Sequence, residues 1–391
     1  MSEKSLSDTI NPVALAQALI RRPSVTPADA GAMAVLEGAL TDLGFICRRM
    51  RFGEIENLYA RYGDARPNLC FAGHTDVVPV GDLKAWSVDP FEGQVTDGVL
   101  LGRGAVDMKG SIAAFVAAAA RAIAAGEVMG SLSFLITGDE EGVATDGTVK
   151  MVEALRAEGE AVDHCIVGEP SSATALGDMI KVGRRGSINA WITVEGRQGH
   201  VAYPHRAANP VPVLIDLLHR LSRRDLDRGY PEFQPSNLEV VDLAVGNPAT
   251  NVIPAKAEAR LNIRFNPNHT GQSLADWLAE ECAMAEAAFD RGQVHLRTSI
   301  SGEAFYTAPG AFTDLVAGAV EAATGAKPEL STSGGTSDAR FIRALCPVVE
   351  FGLVGTTMHM VDERVPVAEV ERLTEAYHTV IARYFATFGP H

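Results

Sequence analysis

Leu132-Ser133-Phe134-Leu135-Ile136-Thr137-Gly138-Asp139-Glu140-Glu141-Gly142 decides the fold, because a short apolar run breaks at a glycine and ends on three acids. The run has the length and composition of a buried strand. Its acids fall beyond the strand's carboxyl end, where open α/β sheets build their sites. The same arrangement recurs along the chain. Leu69-Cys70-Phe71-Ala72-Gly73 precedes His74, Val99-Leu100-Leu101 precedes the turn Gly102-Arg103-Gly104-Ala105-Val106-Asp107, and Cys165 to Gly168 precede Glu169.

Working outward, residues 12–21, 30–43, 109–125 and 148–157 carry helical spacing of apolar positions, and residues 57–62, 68–71, 132–137 and 164–167 read as strands. Strands interleaved with helices predict an α/β domain with a mostly parallel sheet flanked by helices. The character changes near Lys181. Residues 187–195 alternate, with Ile188, Ala190, Ile192 and Val194 on one face, as a half-exposed antiparallel strand does. Helices at 210–221 and 273–288 and strands at 237–245, 257–265 and 294–298 complete an inserted α+β unit. The first pattern returns through 311–323, 348–351 and 368–385. The expected division is a catalytic domain over 1–181 and 300–391, interrupted by an inserted domain over 182–299.

The 391 residues, 47% of them hydrophobic, support a sizeable core and, by length, two domains. The net charge of −15 and the lack of a basic stripe exclude a nucleic-acid-binding surface. An anionic substrate would then need local basic residues. Five scattered cysteines without a Cys-x-x-Cys pair fit buried thiols in a reducing compartment. Residues 1–10 include Glu3, Lys4 and Asp8 and no apolar core, so they do not read as a signal peptide. The apolar stretch 112–120 is too short to span a bilayer and reads as a buried helix.

Each chemical motif has an ordinary structural reading when taken alone. In His74-Thr75-Asp76 the acid is placed to take the second ring N–H of a metal-bound imidazole, although a His-x-Asp turn more often means a local hydrogen bond. The glycines around Asp107 permit close approach to a ligand, while neither phosphate-loop spacing nor a dinucleotide fingerprint is met. Adjacent Glu140 and Glu141 must diverge, so one can bind metal while the other handles a proton. Pro170 stiffens the turn presenting Glu169. His359, between Met358 and Met360, would alone pass for a packed core histidine. Together, the carboxylates of Asp107, Glu141 and Glu169 and one hydroxide neutralise two divalent cations, with His74 and His359 as neutral ligands. Nitrogen and oxygen donors without thiolate favour zinc, with cobalt or manganese as substitutes.

His74-Thr75-Asp76-Val77-Val78-Pro79, Gly102-Arg103-Gly104 through Asp107-Met108-Lys109-Gly110, Gly138-Asp139-Glu140-Glu141-Gly142 and Gly168-Glu169-Pro170 resemble the co-catalytic zinc aminoacylase/carboxypeptidase family, which includes acetylornithine deacetylase. Gly183-Arg184-Arg185-Gly186-Ser187, Gly199-His200-Val201-Ala202-Tyr203-Pro204-His205, Asn251-Val252-Ile253-Pro254 and Gly334-Gly335-Thr336-Ser337-Asp338 extend the resemblance over nearly the whole chain. The resemblance implies a di-zinc exopeptidase-like catalytic domain with a ferredoxin-like lid that also forms a homodimer. It implies two Zn2+ per subunit: Asp107 bridges them, His74 and Glu169 complete one, and Glu141 and His359 complete the other. Asp76, Glu140 and His200 are then catalytic, with Glu140 as general base and His200 reaching into the partner's active site. Lys181, Arg184, Ser187, Tyr203, Asn251, Arg264, Gly335 and Thr336 match substrate-binding positions, and a cis peptide is implied after Asp107. The implied reaction is cleavage of the amide of a succinylated diamino dicarboxylic acid in a bacterial cytoplasm, with no membrane or nucleic-acid partner. One departure is Gly355, where some members carry an amide side chain. The rival readings are another N-acyl-amino-acid deacylase of the family and a non-catalytic scaffold on a decayed hydrolase fold.

Overall fold

The computed structural model describes residues 10–390, so all but Ile10 of the stretch read above for a signal peptide lies outside them. The chain forms two compact units. One comprises Met1–Val182, Thr307–Ser331 and Ser337–His391, and the other Gly183–Tyr306 with Thr332–Thr336.

In the first unit an eight-stranded sheet runs in the order Ile46–Phe52, Ile55–Tyr62, Ser131–Thr137, Asn68–His74, His164–Val167, Val348–Glu350, Met179–Lys181, Glu329–Ser331. Asn68–His74 pairs parallel with Ser131–Thr137 on one side and His164–Val167 on the other, and Val348–Glu350 extends the parallel set. The leading hairpin Ile46–Tyr62 joins antiparallel, which makes the sheet mixed. Both Asn68–His74 and Ser131–Thr137 are buried along their whole length, as expected of central strands covered on both faces.

The helix Lys109–Ala124 explains its own alanines: residues 109–120 are all buried, and small side chains allow other elements to approach it from every direction. It packs against Pro12–Ile20 and Val367–Phe388. Phe115 stacks on Phe71 of the central strand at 4.3 Å, and Tyr377 meets both rings edge-on. The Tyr377 hydroxyl, fully buried, donates to the Phe351 carbonyl at 2.5 Å. This aromatic cluster anchors the strand that carries His74.

The second unit is a four-stranded antiparallel sheet in the order Asn237–Ala244, Lys256–Phe265, Gly186–Glu195, Gln293–Gly302. One face buries Ile188, Ala190, Ile192 and Val194 with Leu214, Leu217 and Leu221 of the helix Pro210–Arg223, whose leucines recur at helical spacing, and with Leu274 and Leu278 of Gly271–Ala287. Asn209 caps the first helix by accepting the Val211 N–H, and Pro210 occupies its first turn. Trp191, on the other face of its alternating strand, lies on a central strand and not at an edge where a second chain could pair. It is half-buried, with the Arg297 guanidinium 3.5 Å from its ring. The edge strand is Asn237–Ala244, which exposes Val241 and Leu243.

The loop that carries Asp107 is fixed from below by a buried ion pair. Arg103 Nη1 donates to Glu363 Oε2 at 2.7 Å, with 2% and 0% of the two side chains exposed. Glu363 Oε1 accepts the N–H groups of Val106 (2.9 Å) and Asp107 (3.1 Å). Arg103 also reaches the Met360 carbonyl at 3.2 Å and packs over Trp86. Gly104 turns the loop at φ +88°, and a Cβ there would stand 2.9 Å from Lys109 Cδ. The peptide bond after Asp107 is cis.

Removing one partner of a buried pair leaves an uncompensated charge, which costs about 3–5 kcal/mol. Glu363→Gln sets an amide N–H against the guanidinium and is expected to lower the unfolding free energy by roughly that much in urea titration. The exposed pair Arg121–Glu375 provides the contrast: Glu375→Gln should cost less than about 1 kcal/mol. Equal losses for the two variants would show that the buried pair does not hold the loop.

Candidate metal centre

Three neighbouring strands deliver the donors. Asn68–His74 ends on His74, Ser131–Thr137 leads into Glu140 and Glu141, and His164–Val167 leads into Glu169. His74 Nε2 lies 3.1 Å from Asp107 Oδ1 and 3.8 Å from Glu169 Oε1. His359 Nε2 lies 2.8 Å from Glu141 Oε1 and 3.2 Å from Asp107 Oδ2. Asp107 thus turns one oxygen toward each imidazole. Ligand atoms of His74, Asp107 and Glu169 fall within 4.8 Å of one another, as do those of Asp107, Glu141 and His359, and those of His74, Glu140 and Glu141. Two triads sharing one carboxylate, with nitrogen and oxygen donors and no thiolate, fit a metal centre of the zinc, cobalt or manganese kind.

The supporting bonds differ in one respect from the sequence reading. His74 Nδ1 lies 2.9 Å from the main-chain carbonyl of Asp76 and 3.6 Å from its carboxylate, so the carbonyl orients the ring. The Asp76 carboxylate is occupied elsewhere, accepting the N–H groups of Glu140 (3.2 Å) and Glu141 (3.0 Å). It therefore pins the acidic turn to the end of the His74 strand. Asp139 closes the other side of that turn by accepting from the N–H groups of Thr145 and Asp146. Glu140 and Glu141 do not begin a helix, since the next one starts at Thr148. His359 is no core histidine: its side chain is 44% exposed and its backbone is left-handed at φ +62°.

The local fields are strong. Burial pushes the Asp76 carboxyl up to about 6, against the pull of His74 and of its two N–H donors. Burial also raises Glu140 well above the usual carboxylate range; His74 opposes this, while Asp338, Glu141 and Asp107 add to it. Glu169 is raised by burial and then by Asp107 and Glu140. For Asp107 burial works the other way from its partners, and the hydrogen bonds from His359 and His74 prevail, holding it below the usual range. His359 is pushed up to about 10 by its bonds to Asp107 and Glu141. A pocket with this many crowded carboxylates favours bound positive charge.

Of the other residues singled out in the sequence, Lys181 belongs to the first unit and is buried on the strand Met179–Lys181. The second unit holds the rest in two groups. Ser187 lies directly opposite Arg264 across two strands, and Arg184 donates to the Ser333 carbonyl at 3.1 Å, beside Gly335 and Thr336. Gly334, at φ +106°, makes room for that arginine, because a Cβ there would stand 2.2 Å from Arg184 Nη1. In the other group His200 pairs with Val252, the Val201 N–H donates to the Asn251 carbonyl at 3.1 Å, and the His200 and Tyr203 rings lie 5.8 Å apart. His200, Tyr203 and Asn251 are exposed. The sequence reading missed Arg103, Asp139 and Glu363 as supports. No local signal marked them: Glu363 is one of two adjacent acids beyond His359, and its role shows only beside Arg103.

Comparison with known proteins places this geometry. Succinyl-diaminopimelate desuccinylase of Phenylobacterium zucineum (strain HLK1) is 72% identical over 381 residues, covering 97% of this chain and 100% of the relative. The protein of that name from Caulobacter vibrioides (strain NA1000 / CB15N) is 70% identical over 388 residues, covering 99% and 100%. Among solved structures, the M20 family metallo-carboxypeptidase Sso-CP2 from Sulfolobus solfataricus superposes with a TM-score of 0.79 at 16% identity, covering 98% of this chain and 99% of that one. The Bacillus subtilis YXEP protein, described as a dinuclear metal binding peptidase, gives 0.70 at 15%, covering 96% and 98%. The profile of Peptidase family M20/M25/M40 matches residues 70–383, and the chain belongs to that family of hydrolases.

Proposed function

We propose that this chain hydrolyses the amide of N-succinyl-LL-2,6-diaminopimelate, releasing succinate and LL-2,6-diaminopimelate for lysine and cell-wall precursor synthesis. The observation that carries hydrolysis is the pair of donor triads sharing Asp107. The substrate rests on the desuccinylase name shared by relatives 56–72% identical over nearly the full chain. An orphaned cation supports it further: Arg264 Nη1 is buried without a hydrogen-bond partner, and a carboxylate would satisfy it.

Two zinc ions would be held by His74, Asp107 and Glu169 and by Asp107, Glu141 and His359, with Asp107 common to both. When bound, such a pair polarises the amide carbonyl and acidifies the attacking water. The protein moves the protons. Glu140 takes one from water as the new C–O bond forms, then delivers it to the nitrogen as the C–N bond breaks, so the amine leaves neutral. Asp76 holds the backbone of Glu140 and Glu141 in place meanwhile. His200 stabilises the oxyanion. Lys181, Arg184, Ser187, Tyr203, Asn251, Arg264, Gly335 and Thr336 take the carboxylates and polar groups of the substrate.

The residues expected as an inserted domain, 182–299, serve in this reading as a lid and dimerisation module. The homodimer finds support in the edge strand Asn237–Ala244, which leaves backbone groups unpaired beside exposed Val241 and Leu243. We place the enzyme in the bacterial cytoplasm, which suits five free cysteines. Among the described residues no helix is long and apolar enough to cross a membrane.

Turnover of N-succinyl-LL-2,6-diaminopimelate should exceed that of N-acetylornithine; the reverse preference would make the chain a deacetylase of the same family. Fewer than one tightly bound metal per chain, with no hydrolysis after zinc addition, would instead favour a scaffold. Glu140→Ala should keep the metal content and lose at least about 100-fold in kcat. Retained activity would reassign the base. Asp76→Asn should cost about 10- to 100-fold in activity or metal affinity, read by turnover and metal titration. His200→Ala should lower kcat by about 100-fold or more with metal content unchanged, and a loss of metal would move it to a structural role.

A further inference from the structure

Ser187 and Arg264 stand opposite each other on adjacent antiparallel strands, and Asn189 and Asn262 form the pair two residues along. All four side chains therefore share one face of the sheet. Asn262 Nδ2 lies 2.9 Å from Asn189 Oδ1, 3.1 Å from Ser187 Oγ and 3.3 Å from the Ile188 carbonyl. Asn189 Nδ2 in turn donates to Ser301 Oγ at 3.0 Å.

The Ile188 carbonyl can only accept, which fixes the amide of Asn262 with its NH2 group inward. Asn189 must then present its oxygen to Asn262 and its nitrogen to Ser301. Two N–H groups of Asn262 face three acceptors, so one serves Asn189 Oδ1 and the other is shared between the Ile188 carbonyl and Ser187 Oγ, which thereby becomes an acceptor. A hydroxyl that accepts there must send its own proton elsewhere. Ser187 is only 2% exposed, and among the described residues its proton meets no acceptor. Beside it, Arg264 Nη1 is buried and also without a partner. Two buried donors, opposite each other on neighbouring strands, are thus left without an acceptor. Arg185, two residues before Ser187, is drawn aside by Asn237 Oδ1 at 2.9 Å.

We propose that Asn262 is a positioning residue for substrate binding: by occupying a lone pair of Ser187, it orients the serine hydroxyl to donate, together with Arg264, to a substrate carboxylate. This rests on the reading that Ser187 and Arg264 bind the substrate, and it adds a determinant that does not touch substrate itself. Serine can donate or accept, and beside a carboxylate only donation is attractive. Fixing the rotor in advance removes an ordering cost that binding would otherwise bear.

The test is a double-mutant cycle on the full chain with zinc bound, comparing wild type, Asn262→Ala, Ser187→Ala and the double variant, with Asn262→Asp added. N-succinyl-LL-2,6-diaminopimelate and N-acetylornithine, both carboxylates, are the substrates, and the cycle is run on the one that wild type prefers. Asn262→Ala should raise KM about five-fold with kcat within about two-fold, and Ser187→Ala should raise it about ten-fold or more. The double variant should be no worse than Ser187→Ala, since Asn262 acts through that hydroxyl. Asn262→Asp keeps the side-chain shape but accepts the Ser187 proton and opposes the Arg264 charge, so it should raise KM more than Asn262→Ala does. Multiplicative single effects, a loss confined to kcat, or Asn262→Asp no worse than Asn262→Ala would each overturn the proposal while leaving the proposed reaction intact. A wild-type chain that cleaves neither substrate would overturn the proposed function and this inference with it.

Discussion

The carboxylate of Glu363 is the interaction on which the metal centre depends. It is wholly buried, neutralises Arg103 and accepts the main-chain N–H groups of Val106 and Asp107. Arg103 binds the carbonyl of Met360 on the segment that follows His359. The loop carrying the shared ligand and the loop carrying His359 are therefore tied by one ion pair, across 260 residues of sequence. A shift of Asp107 by even part of an ångström would spoil both triads together, because each uses one of its two oxygens.

Asp76 and Asp139 repeat the device. Each takes two backbone N–H groups, and each thereby fixes part of the turn bearing Glu140 and Glu141. Charged hydrogen bonds to carboxylates are stronger than neutral ones, and a buried carboxylate so bound cannot wander. Besides Glu140, the pocket holds two kinds of acid. Asp76, Asp139 and Glu363 spend their lone pairs on the backbone, while Asp107, Glu141 and Glu169 converge on the imidazoles. That division explains how so many negative groups crowd one place without collapse: the first set is neutralised by N–H dipoles and Arg103, and only the second is left to cations.

The strand-end placement of His74, Glu140, Glu141 and Glu169 was legible because it follows from a local rule, an apolar run followed by a polar break. The alternation at 187–195 was legible for the same reason, and its buried face is the one read from the sequence. What escaped were relations between distant residues. Glu363 is an ordinary acid until Arg103 is beside it. Asp76 fits its expected position near His74, yet its carboxylate serves the next strand's turn, and the imidazole takes the carbonyl instead. Trp191 alternates like an edge residue, but strand order within the sheet is set by pairing partners far along the chain and put it in the middle. The return of Thr332–Thr336 to the second unit has no compositional mark. It is held by contacts such as the Thr332 hydroxyl on the Glu232 carbonyl and the Arg184 guanidinium on that of Ser333, neither of which a local pattern encodes.

Chemistry and selectivity have different physical requirements, and the residues divide accordingly. Amide hydrolysis needs donors fixed to fractions of an ångström, and buried carboxylates bonded to backbone achieve that whatever acyl group is cut. Recognising carboxylates needs donors that are buried yet unsatisfied, a costly state that a chain of net charge −15 could relieve with almost any nearby acid. The second unit prevents this by surrounding Arg264 and Ser187 with asparagines, which orient neighbours without cancelling charge. An aspartate at 189 or 237 could still accept the hydrogen bonds those side chains accept now, one at 262 would turn a donor toward Ser187 into an acceptor, and each would weaken the positive field. On the proposed function, the neutrality of those three side chains is therefore as much a part of anion recognition as the guanidinium itself.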